Sequence, residues 1–73
     1  MDIKEVEIYT EKITLNQFLK WARIVETGGE GKNLILSSKI KVNGAIERRR
    51  NRVLKDGDIV EIDNRLYKVV QRK

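Results

Sequence analysis

The side chains in this sequence with chemistry to offer are cations, and they are gathered. Between Lys32 and Arg52 stand Lys32, Lys39, Lys41, Arg48, Arg49, Arg50 and Arg52, seven cations against one acid, Glu47. The segment carries a net +6, more than the whole chain's +5, so the rest of the protein is close to neutral. Lysine and arginine neutralise phosphates and release condensed counterions; arginine adds planar, two-pronged contacts and stacking. A localised cluster of this kind is the electrostatic footprint of a surface for a polyanion.

Other chemistries have little to work with. The chain has no histidine, which removes the commonest general base, metal ligand and physiological-pH switch. It has no cysteine, so neither a disulfide nor a thiolate metal site can staple it. Asp56, Asp58, Glu61 and Asp63 fall at turns and along a strand, where alternation keeps Glu61 off the face of its immediate neighbours. Turn and solvation roles account for all four. Gly31-Lys32 does not make a phosphate loop. The earlier glycine that the loop requires would stand at position 26, which is Glu26, and Asn33 stands where Ser or Thr would hold magnesium. The expectation is a protein without catalytic activity, metal or cofactor. No apolar run approaches the roughly 18 residues of a membrane span. The start, Met1-Asp2-Ile3-Lys4-Glu5, has no hydrophobic signal core. A cytoplasmic protein with no membrane partner is expected.

The elements that must position the cations are short. Seventy-three residues make one domain, and a chain of this size buries only about 60% of its unfolded surface. Residues 3–9 alternate, with Val6 and Ile8 on one side and Glu5 and Glu7 on the other, as a half-buried strand. Thr10 to Ile13 turn the chain. Thr14 is the N-cap of a first helix whose Leu15, Phe18, Leu19 and Ala22 form the apolar stripe, with Asn16, Lys20 and Arg23 opposite. Trp21 flanks that stripe, either as a partly buried core residue or as a stacking platform for a base. Thr27 and Glu30 form a capping box for a second helix. Gly28, Gly29 and Gly31 weaken its first turn, and either close helix packing or close approach of a phosphate backbone would offset that. Packing is the better account for Gly31.

The second helix ends near Ser37-Ser38, with Ser38 in a left-handed exit where glycine is usual. Ile40 and Val42 then face inward on a strand, with Lys39, Lys41 and Asn43 outward. Asn43-Gly44 is a strong hairpin signal, and Ala45-Ile46-Glu47 is the return arm. Arg48 to Arg52 form an exposed basic loop, and Val53-Leu54 re-enter the core. Asp56-Gly57 turns into a strand over 59–62, Asp63-Asn64-Arg65 into a last strand over 66–70, and Gln71-Arg72-Lys73 is a tail.

Helix, Thr-Gly-Gly-Glu helix, Lys-Val-Asn-Gly hairpin, arginine cluster and Asp-Gly-Asp-Ile-Val in this order resemble the RNA-binding domain first named for ribosomal small-subunit protein four, the alpha-L motif. The short stand-alone YaaA and YbcJ group is most similar. The resemblance covers Ile13 to Ile62, and Val42-Asn43-Gly44 at this distance from Asp56-Gly57-Asp58 carries most of it. Thr14 and Gly28-Gly29 stand where many members have a basic residue and Ser-Arg; the short group shares the Gly-Gly form. The resemblance implies an α+β fold, two antiparallel helices packed on a small antiparallel sheet. It implies binding of structured RNA, ribosomal RNA or a ribosomal subunit, in bacterial ribosome assembly or translation. Carried over onto this chain, the RNA-binding residues are Lys32, Lys39, Lys41, Asn43 and Gly44, with Arg48, Arg49, Arg50 and Arg52 extending the surface and Lys20 and Arg23 completing it from helix one. The expected state is a monomer without a small-molecule substrate. With one Trp, two Tyr and one Phe, the chain lacks the aromatic sheet that reads extended single strands, which favours recognition of RNA shape. Two readings compete. The same surface could hold an acidic protein of a ribosome or replication complex. The Val-Asn-Gly and Asp-Gly-Asp pieces are also similar to the second half of a β-grasp carrier, but such carriers end in Gly-Gly.

Overall fold

In the computed structural model, which describes residues 2–72, the elements are β1 (Ile3–Ile8), β2 (Ile13–Thr14), α1 (Leu15–Trp21), α2 (Gly28–Leu36), β3 (Ile40–Val42), β4 (Ala45–Ile46), β5 (Val53–Leu54), β6 (Ile59–Ile62) and β7 (Arg65–Gln71). Five strands form one sheet in the order β1-β7-β6-β3-β4, and β2 pairs with β5 in a second, two-stranded sheet. The α+β class is as expected. The main sheet is antiparallel except at one edge, where β1 runs parallel to β7 from Ile3 opposite Leu66 to Ile8 opposite Gln71. The expected antiparallel sheet is thus antiparallel in every pairing but this one. Tight turns join successive strands antiparallel, whereas β1 and β7 meet only after the whole domain has served as their crossover. The seam extends one residue further: the Arg72 amide donates to Ile8 O at 2.8 Å, and the Arg72 guanidinium pairs with Glu7 at 2.6 Å. Gln71, in β7, and Arg72, bonded to β1, therefore belong to this seam and not to a tail; Lys73 lies outside the described residues.

Strand alternation gathers Val6, Ile8, Ile40, Val42, Val60, Ile62 and Val69 into one buried cluster with Leu15, Phe18 and Leu19 of α1 and Ile35 of α2. Each such burial contributes about 1.5–3 kcal/mol. Among the described residues no helix is long and apolar enough to cross a membrane.

Local chemistry sets the helix ends. The Thr14 hydroxyl accepts from the Gln17 amide at 3.3 Å and Gln17 Oε1 accepts from the Thr14 amide at 3.1 Å, a full reciprocal box. At α2 only half of the expected box forms. The Thr27 hydroxyl accepts from the Glu30 amide at 3.1 Å, and the Glu30 carboxylate does not return. Gly31 is where the helices meet. A Cβ there would overlap Asn16 Oδ1 and touch Val25, so glycine lets α2 lie against α1. Asn16, expected on the solvent side, is wedged into that contact, its Oδ1 buried without a hydrogen-bond partner among the described residues.

Ser38 adopts the left-handed conformation with φ +63°. That conformation costs a residue with a Cβ about 1–2 kcal/mol. Ser38→Gly removes the strain and one exposed side-chain hydrogen bond. A net rise in melting temperature of about 2–4 °C is expected by thermal circular dichroism; a fall would show that the Ser38 hydroxyl matters more than its backbone. The two-residue turns Asn43-Gly44 and Asp63-Asn64 both have positive φ at each position, as tight antiparallel hairpins require. Two expectations near the second sheet are corrected. Ile13 is not in a turn but pairs with Leu54. Val53 is exposed and Leu54 alone enters the core, because neighbouring strand residues point to opposite faces.

Candidate nucleic-acid interface

The arginine segment is held at three points. Arg50 O accepts from the Asn16 amide at 3.0 Å and Arg52 O from the Leu15 amide at 2.8 Å. These are the first two amides of α1, which have no partner inside the helix. Arg48 Nε donates to the Ser38 hydroxyl at 2.7 Å, just past the C-terminus of α2, where a cation is favoured by the helix dipole. The segment thus bridges the start of one helix and the end of the other, and Lys39 follows Ser38 directly.

Its third anchor is Glu47, expected only as a lone acid in a basic stretch. Glu47 is 7% exposed. Its Oε2 accepts from the Arg49 amide and from Arg49 Nε, both at 3.1 Å, and its Oε1 from Arg52 Nη1 at 2.8 Å. The Arg49 hydrogen bond leads the causes that lower its pKa from 4.5 to about 2, against burial, which opposes them. A carboxylate that accepts several charge-assisted bonds strongly favours its ionised form. The expected exposed basic loop is exposed from Arg48 to Asn51, and only Arg52 is partly withdrawn. Arg52 is drawn in to 35% side-chain exposure, while Arg49 stays 77% exposed and reaches Glu47 from outside. The Arg50 side chain is exposed and makes no hydrogen bond or ion pair among the described residues.

The other expected RNA-binding residues do not all join this surface. Lys32 is exposed in the middle of α2. Lys41 points away from the helices: alternation buries Ile40 and Val42, which puts Lys41 on the outer face of the sheet, opposite Glu61 and Ile46. Asn43 is engaged internally. Its Nδ2 donates to Asp58 Oδ1 at 3.1 Å and its Oδ1 accepts from the Ile59 amide at 2.9 Å, pinning the hairpin to β6. Gly44 leaves that turn open, with nothing near the position a Cβ would take. Lys20 sits in the last turn of α1, under about 10 Å along the helix from the arginine-bound end, and Arg23 lies just past that helix end. They flank Trp21, which is 52% exposed and so lies outside the core.

The acids have structural work. Asp56 Oδ1 accepts from the Gln71 amide at 2.8 Å and Asp58 Oδ2 from the Lys55 amide at 2.9 Å. Among the described residues no group of three or more His, Cys, Asp or Glu is placed to hold a metal ion. Sequence reasoning missed Glu47 as an organiser and Tyr9 and Lys12 as neighbours of Trp21. Nothing periodic links Tyr9 to Trp21, so only the fold brings them together.

The family model described as S4 domain matches residues 6–70. A curated protein of Bacillus subtilis (strain 168), "Probable ribosome maturation protein RlbA", is 43% identical over 58 residues, which are 80% of this chain and 82% of that protein. Among solved structures, the 30S ribosomal protein S4e from Thermoplasma acidophilum superposes with a TM-score of 0.62 at 19% identity. That likeness of fold covers 81% of this chain and 31% of the other.

Proposed function

The chain belongs to the S4 domain family, and from that premise we propose that it is a non-catalytic, cytoplasmic RNA-binding protein acting on ribosomal RNA during ribosome maturation. Membership and the relative's name support the ribosomal setting. The observation that carries the binding surface is the arginine segment clamped across the ends of both helices. Exposed cations on a fixed backbone meet phosphates at defined spacing, and their hold on RNA weakens as salt rises. Lys39 and Lys32 extend the surface along α2, and the open turn at Gly44 lets a phosphate backbone come close. Lys41 contacts RNA only where the target wraps past β4 to the outer face of the sheet. Absence of histidine and cysteine, together with acids spent on backbone amides, supports a binding role over catalysis.

UV crosslinking in cells, followed by sequencing of the bound RNA, tests this. The control is the protein with Arg48, Arg49, Arg50 and Arg52 changed to Gln. Crosslinks are expected at one ribosomal RNA region and are expected to disappear in the control. No enrichment over the control, with a partner that survives nuclease, would replace RNA by a protein partner on the same basic surface.

A further inference from the structure

At the far end of α1 from the arginine segment lies a second surface. The Trp21 indole N–H donates to Glu7 O of β1 at 2.7 Å. Tyr9, which is 68% exposed, meets the indole edge-to-face, with ring centroids 6.3 Å apart and an interplanar angle of 85°. The indole is thus exposed and yet fixed, by a hydrogen bond at one edge and an aromatic contact. Fixing a large ring before binding removes most of the ordering cost that binding would otherwise carry.

The ring stands between two shallow grooves. On one side the walls mix Lys4, Lys20 and Arg23 with Glu5 and Glu7, so an anion there meets both signs of charge. On the other, Thr10, Lys12, Ile13, Gln17, Lys20 and Trp21 line a groove with an apolar floor, two ammonium groups and no carboxylate. Gln17 uses its Oε1 on the Thr14 amide, which leaves its Nε2 to donate to a ligand. A flat apolar slot beside an aromatic ring, rimmed by cations and offering one amide donor, matches one kind of ligand: an aromatic base with phosphates on either side.

We infer that the Lys12 side of Trp21 receives a single unpaired RNA base, stacked on the indole, with Lys12 and Lys20 on its flanking phosphates. The inference rests on the RNA-binding reading above and deepens it. The arginine segment grips backbone shape, and Trp21 marks a nucleotide displaced from a helix. Stacking of this kind tolerates any base, so a preference for unpaired over paired structure follows rather than a preference for sequence.

The chain has one tryptophan, so its emission reports on this site alone. The probes are two short RNA hairpins of equal length, one with an uninterrupted stem and one with a single unpaired purine. The bulged hairpin is expected to quench Trp21 emission and the uninterrupted one to leave it nearly unchanged. Trp21→Leu is expected to lower affinity for the bulged hairpin about fivefold, to the level of the other, with no change for the uninterrupted stem. Trp21→Phe is expected to keep most of the preference. Unquenched emission with equal binding of both hairpins would overturn the inference and leave RNA binding intact. The quenching arm uses the unaltered protein, so it decides even where a Trp21 variant folds poorly. Failure of the unaltered protein to bind either hairpin would overturn both readings. Quenching by an aromatic peptide but by neither RNA would assign the groove to a protein.

Discussion

Replacing Arg48, Arg49, Arg50 and Arg52 together with Gln is expected to weaken binding of structured RNA about ten- to a hundredfold near physiological salt. For every arginine–phosphate pair removed, the plot of log affinity against log salt should also flatten by about 0.7–0.9. The four side chains should not contribute equally. Arg50 is exposed and unpaired among the described residues, so its charge is wholly available. Arg48 is tied to Ser38 through Nε, and its other nitrogens make no hydrogen bond among the described residues. Arg52 spends Nη1 on Glu47 and is drawn toward the surface of the core. Arg50→Gln should therefore cost more affinity than Arg52→Gln. The Arg50 and Arg52 carbonyls still cap α1 in the variant, but Glu47 loses both arginines, so a lowered melting temperature is expected and binding is compared below it. Filter binding or fluorescence anisotropy over a salt series, with melting curves as control, makes the measurement. An unchanged slope in the quadruple variant would remove the arginine segment from the interface.

The second large effect concerns Glu47 and is one of stability. Its folded pKa is lowered from 4.5 to about 2, so the ionised form is favoured by the fold. A group whose pKa is depressed on folding contributes stability above its unfolded pKa and loses it as pH falls through the folded one. The contribution is thus full at neutral pH and is lost between pH 4.5 and about 2. Arg49 is mostly in water and screens its share, so the expected loss is about 1–2 kcal/mol, less than the bare shift implies. In a domain this small that is a large fraction of the total. Denaturant unfolding as a function of pH should show the decline in the unaltered protein and a markedly shallower one in Glu47→Gln. Glu7, held low by Arg72, adds a weaker dependence in the same direction and remains in both proteins. Identical slopes would mean that Glu47 gains nothing from its arginines. The link to function is direct: with Glu47 neutral, Arg49 and Arg52 lose their common anchor, and RNA affinity should fall although net positive charge has risen.

What the sequence determined by itself is local or additive. The concentration of charge between Lys32 and Arg52 needs no fold to be seen. The apolar stripe of α1, the Thr14 cap, the left-handed Ser38 and the Asn43-Gly44 hairpin follow from forces acting over a few residues. The order of these pieces was enough to point to the family. The remaining features depend on residues far apart in the chain or on which of two faces is buried. The parallel seam of β1 with β7 joins the two ends. The pairing of β2 with β5 brings the arginine segment over the first amides of α1, and Asn16 sits on Gly31 because two helices touch there. Burial turned Glu47 from a stray acid into the post that holds two arginines, since a carboxylate shielded from water gains far more from a cation than an exposed one. Helix length and strand alternation separated cations that composition had pooled, sending Lys41 to the outer face of the sheet and Lys20 and Arg23 to the Trp21 end of α1. Charge adds along a sequence, but a ligand meets only what one face of the fold presents.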